Sequence, residues 1–253
     1  MVTSNTVKKE QLILLIGSER EYVIPAKGKF NCKSGYTDLD KLVGREFGKK
    51  FKIGDDDYYV LEPRFLDMLY KKAVRGPQVI SPKDAAVIAA ETGCGKGWKV
   101  VDAGSGSCFL ALMLANMGCD VTSYEKEKKF FDIAKRNAEV IGGKNLKVIH
   151  KDIVKDLPDK DVDLITLDME ESPKAVKNAF TALTPGGWLA IFSLHAEHLI
   201  AVRTELEKHS FTAVTTVESM QREWQFQSGE RTWTRPKTHM LAHTGFITFA
   251  RKL

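Results

Sequence analysis

Val100-Val101-Asp102-Ala103-Gly104-Ser105-Gly106-Ser107-Cys108-Phe109 decides the fold: an apolar, β-branched segment passes through a glycine-rich turn into the helix-patterned run CFLALMLANM. Gly104 and Gly106 allow a tight turn and a close approach of backbone to ligand. A dinucleotide-binding fingerprint wants a third glycine, but Phe109 stands in its place, and the first acidic residue, Asp102, precedes the glycines. A carboxylate there repels a pyrophosphate and suits an ammonium. Glu125, 21 residues after Gly104 at the end of DVTSYE, is placed to hold both hydroxyls of a ribose. The two acids together favour S-adenosylmethionine (SAM) over a nicotinamide dinucleotide.

Outward from this turn the chain alternates. WKVVDA, DVTSYE, NLKVIH, VDLITLD and GGWLAIFSL are short, apolar and strand-like, and CFLALMLANM, EKKFFDIAKRNAEVI, PKAVKNAFTAL and AEHLIAVRTELEKH between them have helical spacing. That order predicts a parallel α/β sheet. FTAVTTVESM and HTGFITFARKL follow without a long helical stretch, which predicts an antiparallel pair at one sheet edge. Toward the N-terminus, LILLIG, EYVIPAKGKF and KIGDDDYYVLEP read as a small β-rich domain over residues 1–62, with a hairpin turn at Gly54-Asp55-Asp56. Residues 63–97 read as linking helices: Pro63 opens the first, and Ser81 caps the second with Pro82 at its first position. The larger α/β domain is then 98–253.

At 253 residues, 43% of them hydrophobic and 28% charged, the chain can bury a large core, which excludes disordered and fibrous classes. No run approaches the roughly 20 apolar residues that span a bilayer, and no targeting segment is evident, so a cytoplasmic protein is expected. Cys32, Cys94, Cys108 and Cys119 lie 62, 14 and 11 residues apart with no C-x-x-C pair, which predicts separate reduced thiols and no structural metal. Net charge is +5, and residues 1–76 hold 15 basic against 11 acidic groups, so most of the positive surplus is N-terminal. Such a surplus is compatible with nucleic acid and equally with a solvated surface.

Two further acids end strand-like runs: Asp152 after VIH, within reach of an adenine amino group, and Asp168 after LITL. With Glu125 they converge at the carboxyl edge of the sheet, where open α/β sheets bind ligands. The run RGPQVISPKDAA (75–86), the turn DAGSGS, the SYE triplet at 123–125, Asp168-Met169 and the ending RPKTHMLAHTGFITFARKL together resemble the TrmI-type tRNA adenine-N1 methyltransferases, especially archaeal ones, along nearly the whole chain.

The resemblance implies a Rossmann-like SAM-dependent methyltransferase domain with a mostly parallel seven-stranded sheet, a small N-terminal β-domain, a homotetramer, and methylation of a T-loop adenine in tRNA. Residue by residue it places Gln78 and Val79 at the methionine end of SAM, Gly104, Ser105, Gly106 and Ser107 in its turn, Glu125 on the ribose, Asp152 on the adenine and Asp168 in the catalytic place. Phe192 matches an aromatic position that could hold an extruded base, with a core role as the alternative. Arg235 matches an RP pair facing RNA or a neighbouring subunit; His243 is a structural histidine or a general base. The stretch from Arg222 to Arg235, including Trp224, Arg231 and Trp233, interleaves aromatic and basic residues as RNA-contacting loops do. The sequence departs from the family at Ser81, Cys108, Glu170-Glu171 and Glu197-His198. Two other readings keep part of this: a SAM enzyme with another acceptor, as in protein isoaspartate methyltransferases, and a non-catalytic tRNA-binding partner of a methyltransferase.

Overall fold

The computed structural model describes residues 5–76, 79–229 and 232–253. The chain divides into two units, 1–73 and 74–253.

In the first unit, β1 (Leu12–Ile16), β2 (Glu21–Pro25), β3 (Lys29–Cys32), β4 (Gly35–Asp38), β5 (Lys50–Ile53) and β6 (Asp56–Leu61) are followed by helix α1 (Phe65–Lys72). Four strands pair antiparallel in the order β2-β1-β6-β5, and β3 and β4 form a separate hairpin. Ile13, Leu15, Phe51 and Val60 bury one face of that sheet. Gly54 occupies the β5–β6 turn with a φ of +61°, and a Cβ there would lie 2.0 Å from the Ser34 carbonyl oxygen. The expected boundaries at 62 and 97 are corrected here: α1 packs on β2 within the first unit, and the second expected helix belongs to the other unit. Pro63 lies before the helix, whose N-cap is Arg64.

The second unit begins with α2 (Pro82–Thr92), capped by Ser81, whose side chain accepts from the Asp84 N–H. There follow β7 (Lys99–Ala103), α3 (Phe109–Asn116), β8 (Asp120–Glu125), α4 (Lys128–Ile141), β9 (Leu146–His150), β10 (Val162–Leu167), α5 (Ser172–Ala182), β11 (Leu183–Ser193), α6 (Ala196–Leu206), β12 (Phe211–Glu218), β13 (Trp224–Gln227), β14 (Trp233–Pro236) and β15 (Phe246–Lys252). Seven strands form one sheet in the order β12-β15-β11-β10-β7-β8-β9, and pairing is parallel from β9 to β11 and antiparallel on both sides of β15. Val100, Val101 and Ala103 are all buried, as in a strand covered on both faces. The expected edge pair forms with β15 one place inside the edge, between β11 and β12. Between β7 and β10 the strand order reverses, and the crevice of such a sheet opens at that point.

One expectation changes. The aromatic-basic stretch, expected as a loop, is the hairpin β13–β14, with Trp224 63% exposed and Phe226 71%. The four cysteines are free thiols, as expected, and the Cys119 thiol donates to the Gly95 carbonyl at 3.3 Å.

Candidate active site

The β7 turn is shaped by backbone conformations that few residues adopt. Gly104, Gly106 and Cys108 have φ of +82°, +51° and +65°. A Cβ on Gly104 would lie 2.0 Å from the Asp168 carbonyl oxygen, and the Asp168 N–H donates to the Ala103 carbonyl at 2.8 Å. The cofactor-type turn and the end of β10 therefore interlock through backbone. Asn137, buried on α4, secures the turn from behind: its amide donates to the carbonyls of Val74 and Ser107 at 2.9 Å and accepts from the Val74 N–H. Ser107 Oγ in turn accepts from the Gly76 N–H at 2.7 Å.

Asp102 lines the larger cavity of the crevice with both carboxylate oxygens already engaged. It is buried, and its two oxygens accept from Ser123 Oγ at 2.6 Å and Thr166 Oγ1 at 2.8 Å. Burial raises its pKa, opposed by the two hydroxyls. Glu125, in contrast, accepts the Gly106 and Glu127 N–H groups at 3.0 and 2.9 Å, one on each oxygen, which aims the carboxylate while leaving lone pairs toward the opening.

Two cavities meet at Glu125, Gly104 and Met169. The larger, about 930 Å³, is lined by Val79, the 104–107 turn, Asp168, Phe192, His195, Glu197 and His198. The smaller, about 560 Å³, is lined by Lys126, Lys151, Asp152 and Glu171. Glu125, Asp152 and Asp168 thus gather at the carboxyl edge, with Asp168 and Asp152 in different chambers. Gln78 lies outside the described residues, as does Arg231. Phe192 is buried, its ring leaves no room for a Cβ at Gly245, and it also lines the larger cavity. Arg235 is on β14 with its guanidinium 4.9 Å from the Trp233 ring, and does not line either cavity. Nor does His243, whose ring bonds Glu218 at 2.5 Å and the Leu194 carbonyl at 3.1 Å; both nitrogens are engaged, and Glu218 raises its pKa. The structural role fits it.

Asp168 is a carboxyl perturbed toward neutrality near ordinary pH. Burial, with the fields of Asp102 and Glu125, pushes its carboxyl up to about 7. Glu171 is the opposite case: Lys126 at 2.5 Å and Lys174 at 3.0 Å hold it at about 2. One of the two charges added by Glu170-Glu171 is thereby neutralised locally. Sequence reading missed Asn137 and Thr166, and met Ser123 only within the SYE triplet and His198 only as a departure from the family; Asn137 left a trace as a polar residue on the apolar stripe of α4.

An adenosine fits these residues: Glu125 offers a diol-binding carboxylate, the glycine turn a close backbone, and Asp152 an acceptor in the second chamber. A methyltransferase-domain model matches residues 94–240. The chain is 29% identical to the tRNA (adenine(57)-N(1)/adenine(58)-N(1))-methyltransferase TrmI of Methanocaldococcus jannaschii, over 88% of each chain. Among solved structures it superimposes on the tRNA (m1A58) methyltransferase TrmI of Aquifex aeolicus with a TM-score of 0.82 at 25% identity, covering 98% of this chain and 99% of that one. A SAM-dependent O-methyltransferase from Thermotoga maritima gives 0.86 at 25% identity, covering 99% and 96%. Since the matched domain spans more than half of the sequence and takes in the β7 turn, Glu125 and Asp168, the chain belongs to the methyltransferase-domain family.

Proposed function

We propose that the protein methylates N1 of an adenine in the T-loop of tRNA, with SAM as donor and Asp168 as the catalytic carboxylate. The observation that carries this is Asp168 itself: a carboxyl of raised pKa, locked by backbone against the cofactor turn, facing a cavity with room beyond the donor for a planar base. The likeness to TrmI over nearly the whole chain supports the same acceptor. SAM, when bound, supplies an electrophilic methyl group on a positively charged sulfur and leaves as a neutral thioether.

Glu125 orients the ribose, and Val79 borders the methionine end. The target base enters beside Phe192, freed from its stack. Its N1 lone pair forms the new N–C bond, so positive charge develops on the ring. Asp168 accepts a hydrogen bond from the exocyclic amine, stabilises that charge, and takes the amine proton as the base becomes neutral. Alignment supplies the rest of the rate. A homotetramer follows the same reading. Trp224 and Phe226 share one face of the β13–β14 hairpin with Thr234 and Pro236, an apolar face suited to a second copy.

Mass-spectrometric mapping of nucleosides from tRNA incubated with the protein and labelled SAM tests the acceptor. Labelled 1-methyladenosine in the T-loop is expected. Label appearing only as methyl ester on isoaspartyl peptide, or on no acceptor, would overturn the reading.

A further inference from the structure

The turn that carries Asp168 runs through Met169, Glu170 and Glu171 to Ser172, the first residue of α5. Its beginning is held by β7, through the Asp168 N–H to the Ala103 carbonyl. Its far end is held from α6. His198 Nε2 lies 3.0 Å from Ser172 Oγ, and the Glu170 backbone beside the same ring works against burial in setting its pKa. Ser172 is fully buried, so its hydroxyl has no water to turn to, and its N–H closes the turn onto the Met169 carbonyl at 3.0 Å. His198 also lines the larger cavity, alongside Asp168, Met169 and Glu170.

We propose that His198 is a positioning residue for methyl transfer: as a neutral ring it accepts from Ser172 and donates to the Glu170 carbonyl, fixing the turn that presents Asp168 to the acceptor. A neutral imidazole has one donor and one acceptor, and this site uses both. Burial lowers the pKa of His198, which keeps the acceptor nitrogen free. The histidine touches neither reacting atom; it acts through the placement of Asp168, where a displacement of an ångström is enough to slow an aligned reaction. Glutamine carries the same pair of functions, an amide donor and a carbonyl acceptor; alanine carries neither. The inference rests on Asp168 being the catalytic group of the proposed function.

Three measurements on the full-length protein test it. Turnover of tRNA by His198→Ala should fall about 10-fold or more, with SAM affinity by calorimetry within about 2-fold of the parent. His198→Gln should recover to within about 3-fold of the parent. In ¹⁵N spectra of the parent, His198 should carry its proton on Nδ1 and leave Nε2 bare. The proposal is overturned by an alanine variant that turns over normally, by one that loses SAM affinity in step with rate, by a glutamine variant as slow as the alanine one, or by a proton on Nε2. If the parent methylates no tRNA, the acceptor assignment fails separately, and the tautomer alone decides the role of His198.

Discussion

Asp168 is asked for one charge state by folding and the other by chemistry. Its carboxyl stands at about 7 in the fold against about 3.9 in an unfolded chain. The unfolded chain gives up this proton first, so stability is unaffected below pH 4, falls as pH rises from 4 to 7, and stays lowered above that. Asp168→Asn removes the penalty. Thermal unfolding without cofactor should therefore show the variant gaining on the parent between pH 5 and pH 8, by up to a few kcal/mol; parallel pH curves would refute the raised pKa. The same substitution should cut single-turnover methylation about 10²-fold or more with little change in SAM affinity, and the parent's rate should rise with pH up to about 7. Glu170→Gln, at the other acid of this turn that lines the larger cavity, should leave the rate near the parent's. At Glu125, alanine should weaken SAM binding by roughly 1.5 to 3 kcal/mol, and unchanged calorimetric affinity would remove it from the ribose. These acids were legible because each ends a strand-like run. Ser123, Thr166 and His198 were not, since each acquires its meaning from a partner 21 to 64 residues away that only the fold brings near. Cys108 explains itself only in three dimensions: it stands where the family carries glycine, in a left-handed conformation that costs a non-glycine residue about 1 kcal/mol.

Elements show where pattern suffices and where it does not. The alternation of β-branched runs with helical stretches specified the parallel sheet, and the Ser81-Pro82 signal marked the start of α2 correctly. The β13–β14 hairpin escaped notice because its four-residue strands carry aromatics on outward faces, so no period-2 burial distinguishes them from loop. Lys83 on α2 ties the ends of the segment that carries this hairpin. Its ammonium bonds Asp84 at 2.7 Å, the Ser219 carbonyl at 2.6 Å and Thr244 Oγ1 at 2.7 Å, so it joins both ends of the segment between β12 and β15. Asp84 is 1% exposed, and Lys83→Met would leave it without its cation. A loss of about 2 to 4 kcal/mol in urea unfolding is expected, together with faster limited proteolysis within residues 220–243. Unaltered cleavage would show that Lys83 does not secure the segment.

For the molecule as a whole, charge distribution bears on the proposed substrate. Lys33, Lys41 and Lys52 are exposed on the first unit, where the positive surplus lies. If that unit touches tRNA phosphates, replacing all three by glutamine should lower the slope of log affinity against log salt by about 1 to 3; an unchanged slope would assign the surplus to ordinary solvation. The division into two units was legible in the switch from short antiparallel patterns to α/β alternation, but its boundary was not. Membership of α1 in the first unit depends on packing against β2, and helical spacing alone says nothing about which sheet a helix will choose. The clasp at Lys83 has a consequence for how such a chain can change over time. Because β12 and β15 are neighbours in the sheet and their connection leaves and returns at one side chain, residues 220–242 amount to an exchangeable cassette inserted between them. A hairpin transplanted there from another chain, with Lys83, His243 and Thr244 retained, should bind SAM with parental affinity while delivering a different macromolecule to the same methyl group.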